Sequence, residues 1–181
     1  MALTSTIYRF QFTVSDVDRS VYESLDVRVA CHPSESVSYL LTRVLAYALE
    51  LRQDLSFGRG LSTPDEPAIS APNAIGGLAL WVEIGQPSAA KMHKVCKQAD
   101  EVRVYTHKDV ELVLAGLVGQ NVHRAEAVEI VAIPAPLLEA LSERLDRKNT
   151  WELLRTEETL YVTVEDGTTY QGRLDTRRLD G

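Results

Sequence analysis

The chain has 181 residues, 45% of them hydrophobic, with ordinary Gly and Pro content and a formal net charge of −7. That is enough material for a packed core, and it excludes a disordered or low-complexity polypeptide. The acidic balance repels polyanions at long range, so contact with nucleic acid would need a local basic surface.

Residues 4–14 (TSTIYRFQFTV) alternate apolar and polar side chains and are rich in β-branched and aromatic types. They predict a half-buried strand belonging to the fold, not a secretory leader. The turn residues SDVDRS follow, then YESLDVRVAC predicts a second strand, antiparallel to the first across a simple hairpin. His32-Pro33-Ser34-Glu35 closes it and opens a helix, with Ser34 as a cap. Val37, Leu40, Leu41, Val44, Leu45, Ala48 and Leu51 recur at helical spacing and predict a long core helix ending near residue 52.

Residues 62–77 carry Ser, Pro, Asn and Gly without period and predict a long connection, with a short strand near 68–70. Connections of that length are often functional. Residues 77–84 (GLALWVEI) are almost continuously apolar, which suits a central strand covered on both faces. A turn through Gly85, Gln86 and Pro87 leads to Ser88, the expected cap for a helix over 89–98. A strand over 102–106, a helix over 108–117, a buried strand over 127–133 and a helix over 134–145 follow. This alternation fits right-handed parallel crossovers. The tail changes habit: strands over 151–155, 159–165 and 168–173 alternate, with a tight hairpin at Asp166-Gly167. The expected fold is α/β: a central mixed sheet flanked by helices, with extra antiparallel strands from both termini, and residues 1–181 forming one domain.

Cys31 and Cys96 are far apart in sequence and predict free thiols. His32, His93, His107 and His123 are scattered, and no metal-binding spacing appears. No apolar run approaches the ~20 residues that cross a bilayer. A cytoplasmic location and no membrane partner are the expectation.

The most informative stretch is 65–94. Glu83 ends an apolar strand, where an unpaired buried carboxylate costs several kcal/mol, roughly. It therefore needs a partner or an ion, or it turns outward to pair with Lys91 or an arginine. The carboxyl end of a central strand is also where α/β sheets bind ligands. Asp65 and Glu66 sit between two prolines and offer a second carboxylate from a separate segment. Two such acids suit Mg²⁺, which takes few protein oxygens and keeps its waters. Lys91 and Lys94 follow the turn, able to hold an attacking water or clamp a phosphate. Gln86 can orient a water, and Glu35 lies where a first-turn carboxylate is favoured by the helix dipole.

The ordered segments MALTSTIYRFQFTVSDVDR, ACHPSES, LSFGRGLSTPDEPA and LWVEIGQPSAAKMHKVCKQA together resemble the YaeQ family of small bacterial proteins. That resemblance implies a variant of the restriction-endonuclease-like, PD-(D/E)XK nuclease fold. Carried over, the nuclease pattern places Glu35 on the first core helix, Asp65 or Glu66 before the central strand, and Glu83 as the second acid. Its lysine falls at residue 85, which here is Gly85; Lys91, Lys94 or, more weakly, Gln86 would replace it. Two functions follow as expectations: a Mg²⁺-dependent phosphodiesterase acting on nucleic acid, or a non-catalytic binder of nucleic acid or protein on the same scaffold.

Overall fold

The computed structural model describes residues 4–60 and 63–180. The first two strands, β1 (Thr6–Asp16) and β2 (Val21–Cys31), form the expected antiparallel hairpin. Helix α1 (Val37–Leu49) follows. Its cap is Ser36, whose hydroxyl accepts from the Tyr39 amide at 3.1 Å, not Ser34. Ser34 instead bonds the His32 ring at 2.6 Å, so the Pro33 segment makes its own turn before the helix begins.

Two short strands, β3 (Ser56–Phe57) and β4 (Ile69–Pro72), lead to the central strand β5 (Leu78–Ile84). Helix α2 (Ala89–Val95), capped by Ser88, and β6 (Ala99–Thr106) come next. Helix α3 (Val110–Leu117), one 3-10 turn at Ala125–Ala127 and β7 (Val128–Ala132) complete the crossovers. Helix α4 (Ala135–Ser142) then precedes β8 (Lys148–Thr156), β9 (Thr159–Thr163), β10 (Thr169–Arg173) and β11 (Asp175–Arg178).

The result is an α/β fold with two mixed sheets. One has the order β11-β7-β6-β5-β4-β3, in which β5, β6 and β7 run parallel. The other has the order β10-β9-β8-β1-β2. The strands near the two ends of the chain therefore do not simply flank one central sheet. They build a second sheet, joined where β1 pairs in parallel with β8. The cause lies in the apolar face of β1: Phe10 and Phe12 are buried and pack on Trp151 of β8. Only β11 returns to the first sheet, antiparallel to β7.

Helices α1 and α4 pack on each other, with α1 also against β1, β5 and β6 and α4 against β10, so both lie between the sheets. One apolar cluster fills this interior, from Phe10 and Trp151 through Leu41 and Leu45 to Val82 and Ile84. A second cluster lies on the far face of the first sheet, where Trp81, Val102 and Ile130 meet Met92 of α2 and Val113 of α3. Both faces of β5 are thus covered, and Leu80, Trp81, Val82, Glu83 and Ile84 are all buried. This accounts for its lack of alternation.

Candidate functional site

β5 ends at Ile84 because the next residue cannot continue it. Gly85 has φ +96°, a conformation that L side chains rarely adopt, and its amide donates to the Tyr105 carbonyl at 2.8 Å. A β-carbon there would find open space, with Tyr39 no nearer than 4.0 Å, so backbone geometry rather than crowding selects glycine. The position to which the nuclease pattern assigns a lysine is therefore a turn.

The cation arrives from α2. Lys91 Nζ lies 2.8 Å from Glu83 Oε2, and the Trp81 indole N–H donates to Glu83 Oε1 at 2.7 Å. Trp81 and Glu83 share a face of β5 because they are two residues apart. Glu83 is thus a buried carboxylate with both oxygens engaged, while Lys91 keeps part of its side chain in solvent.

These groups open onto a cavity of about 330 Å³, lined by Tyr39, Arg43, Thr63, Glu66, Glu83, Gln86, Ser88 and Lys91 among others. Its outer wall is the loop after β3. Gly58 lets that loop lie close: a β-carbon there would sit 2.0 Å from the Pro67 carbonyl oxygen. Glu66 on this wall accepts from Arg59 Nε at 2.9 Å, and that bond holds its carboxyl below the usual carboxylate range. Asp65 beside it is exposed and is not part of the lining.

Glu35 occupies different surroundings. It forms an ion pair with Arg43 at 3.0 Å, and the two side chains are 1% and 4% exposed respectively. Arg43 also donates to the Ala30 carbonyl at 2.8 Å and lies over the Phe57 ring, while its Nε is buried without a partner among the described residues. A second cavity of about 360 Å³ adjoins the first across Tyr39, Ile84 and Gln86. Ser34, Glu35, Ser36, Gly85, His107 and Lys108 complete its wall. Tyr39 stands between the two, its phenol raised above the ordinary value chiefly by burial.

Of the residues expected from sequence, Glu66, Glu83, Gln86 and Lys91 line one cavity. Glu35 lines the neighbour together with Gln86. Asp65 and Lys94 line neither, and both are exposed. Among the described residues no group of three or more His, Cys, Asp or Glu side chains is placed to hold a metal ion. Sequence reasoning missed Arg43, Tyr39 and His107. Arg43 carried a usable signal, a charge inside the apolar run LLTRVLAYAL, the same anomaly that singled out Glu83.

Comparison with known proteins agrees across several measures. A model of the YaeQ protein family matches residues 1–171. An uncharacterized protein YaeQ from Salmonella typhi is 30% identical over 172 residues, covering 92% of this chain and 88% of that protein. The Escherichia coli K12 protein of the same description is 37% identical over 107 residues, 59% of each chain. The crystal structure of YaeQ protein from Pseudomonas syringae superposes with a TM-score of 0.85 at 31% identity, covering 95% of both chains. That of YaeQ protein from Xanthomonas axonopodis pv. citri gives 0.83 at 25% identity, covering 97% of this chain and 99% of that one.

Proposed function

This chain belongs to the YaeQ family, and from that premise we propose that it acts on phosphodiesters of nucleic acid, through a divalent-ion-assisted site on a restriction-endonuclease-like core. The observation that carries the reading is the Lys91–Glu83 contact of 2.8 Å at the carboxyl end of a central parallel strand. It brings together an acid and an amine at the place where such sheets bind ligands, with the amine supplied from α2 because Gly85 forms a turn.

The group this reading implies is Mg²⁺. Glu83 and Glu66 line one cavity from two separate segments and offer oxygen ligands. Both already carry a cationic partner, and no third acid joins them among the described residues. Such a donor set fits an ion that shares its coordination with water and a substrate phosphate, not a preformed protein cage. When bound, the ion would activate water and stabilise charge on a phosphoryl oxygen. Glu83, fixed by the Trp81 indole, would hold it, and Glu66 would do so after exchange from Arg59. Lys91 would leave Glu83 for a phosphoryl oxygen or the attacking water, its long stem giving it the reach. Gln86, whose amide donates to the Leu112 carbonyl at 3.3 Å, would orient a water.

Labelled single- and double-stranded DNA and RNA, incubated with Mg²⁺ or Mn²⁺, test the reading. The wild type should cleave at least one of them, Glu83→Gln should remove the metal-dependent activity, and Lys91→Ala should lower it by about 10²–10⁴-fold. Cleavage that survives both substitutions would sink it. A second reading, non-catalytic binding on the same scaffold, is favoured by one observation: Glu35, Glu66 and Glu83 are each already engaged by a cationic side chain. It predicts oligonucleotide binding without cleavage, unchanged by added metal.

A further inference from the structure

The second cavity has features that the candidate site does not use. Lys108 sits at its rim, exposed and with no ion pair among the described residues. Its backbone amide donates to Thr106 Oγ1 at 3.0 Å, which anchors the residue at the end of β6. His107, beside it, packs edge-on to Tyr39 with ring centroids 6.4 Å apart. The His107 Nδ1 atom is buried and has no hydrogen-bond partner among the described residues.

That orphan nitrogen favours one tautomer. A proton on Nδ1 would bury an unmatched donor, whereas a bare lone pair there is less costly. The proton therefore belongs on Nε2. Burial, with the neighbouring Lys108 charge, lowers the His107 pKa and keeps the ring neutral near pH 7. His107 is then a neutral N–H donor on a wall whose free charge is the Lys108 ammonium. Glu35 also lines the cavity, but its charge is matched by Arg43. Ser34 and Ser36 add hydroxyls, and Gln86 belongs to both compartments.

We propose that this second cavity binds a phosphoryl group, with Lys108 supplying charge and His107 Nε2–H a neutral hydrogen bond. It would hold a phosphate of the same substrate next to the one at Glu83 and Lys91. The assignment deepens the phosphodiester reading and takes its ligand class from it. His107 and Lys108 act here in positioning and binding.

Calorimetric titration with inorganic phosphate and with a nucleoside 5′-monophosphate, in EDTA, tests it independently of cleavage. Wild type should bind in the millimolar range or tighter. Lys108→Ala should weaken binding roughly tenfold or more, the scale of a hydrogen bond to a charged group. His107→Gln should weaken it less, since the bond lost is neutral. Nitrogen-15 spectra of the His107 ring should show the Nε2–H tautomer at pH 7, with a shift on adding phosphate. Absence of binding, binding indifferent to Lys108→Ala, or an Nδ1–H ring would each overturn the proposal. Lys108-dependent binding without any nuclease activity would refute the phosphodiesterase reading and leave this one standing.

Discussion

Glu35 has two competing descriptions, a carboxylate available for chemistry and one half of a buried structural pair, and stability measurements separate them. In the Glu35→Ala protein the Arg43 guanidinium stays buried at 4% exposure with its partner gone, and the Ala30 carbonyl becomes its main remaining acceptor. Breaking one side of such a pair costs about 3–5 kcal/mol. For a chain of this length, at about 2–4 °C per kcal/mol, the midpoint should fall by about 6–20 °C. Arg43→Met alone should also destabilise, because it strands the Glu35 carboxylate. The double variant should be more stable than the two single losses sum to, since no unpaired charge is left inside. Urea unfolding of the four proteins closes the cycle. A Glu35→Ala cost under about 1 kcal/mol, or a strictly additive double variant, would refute the buried-pair account.

Other outcomes follow from single features. Gly85→Lys, which restores the nuclease pattern on paper, should cost about 1–3 kcal/mol in thermal or urea melts because φ there is +96°; it should not raise activity. His107 has a folded-state pKa below its unfolded value. Its stabilising share is therefore present above about pH 6.5 and is lost as acid carries the pH down through the folded value. Comparing wild type with His107→Gln between pH 7.5 and 5 should show a smaller acid loss in the variant; equal losses would count against the burial of that ring. Cys96 is fully buried, its thiol pushed up to about 11, whereas Cys31 is half-buried. Alkylation at pH 8 followed by mass spectrometry should label Cys31 first and Cys96 only after unfolding.

Much of the fold was legible in the chain because period and punctuation agree. The alternation of residues 4–14, the helical spacing from Val37 to Leu51 and the apolar run before Glu83 each reappear as β1, α1 and β5. What stayed hidden was long-range pairing. Nothing local says that β8 lies parallel to β1, because that choice rests on Trp151 meeting Phe10 and Phe12 across most of the chain. The strand β11 was missed for a related reason: Asp175–Arg178 has no apolar period and owes its structure to pairing with β7. At the site, the Glu83–Lys91 contact could be anticipated from spacing, since a strand end and the first turns of the next helix are neighbours. The choice of Glu66 over Asp65 for the cavity wall could not, because it depends on how the 63–67 turn faces inward and on Arg59. His107 carries no pattern at all; only its buried, unmatched nitrogen reveals it.

The parallel pairing of β1 with β8 also sets an order for assembly. Asn149 donates to the Arg9 carbonyl across a sequence separation of 140. A nascent polypeptide has its first hairpin, with Phe10, Phe12 and Val14 on one face, long before Trp151 exists to cover them. At synthesis rates of roughly 5–20 residues per second, that edge stays open for several seconds at least. Contacts so distant in sequence also make for slow closure. The second sheet therefore cannot close until β8 is made, and a chain stopped short of Lys148 would carry an unpaired, aromatic β-edge ready to recruit another copy of itself.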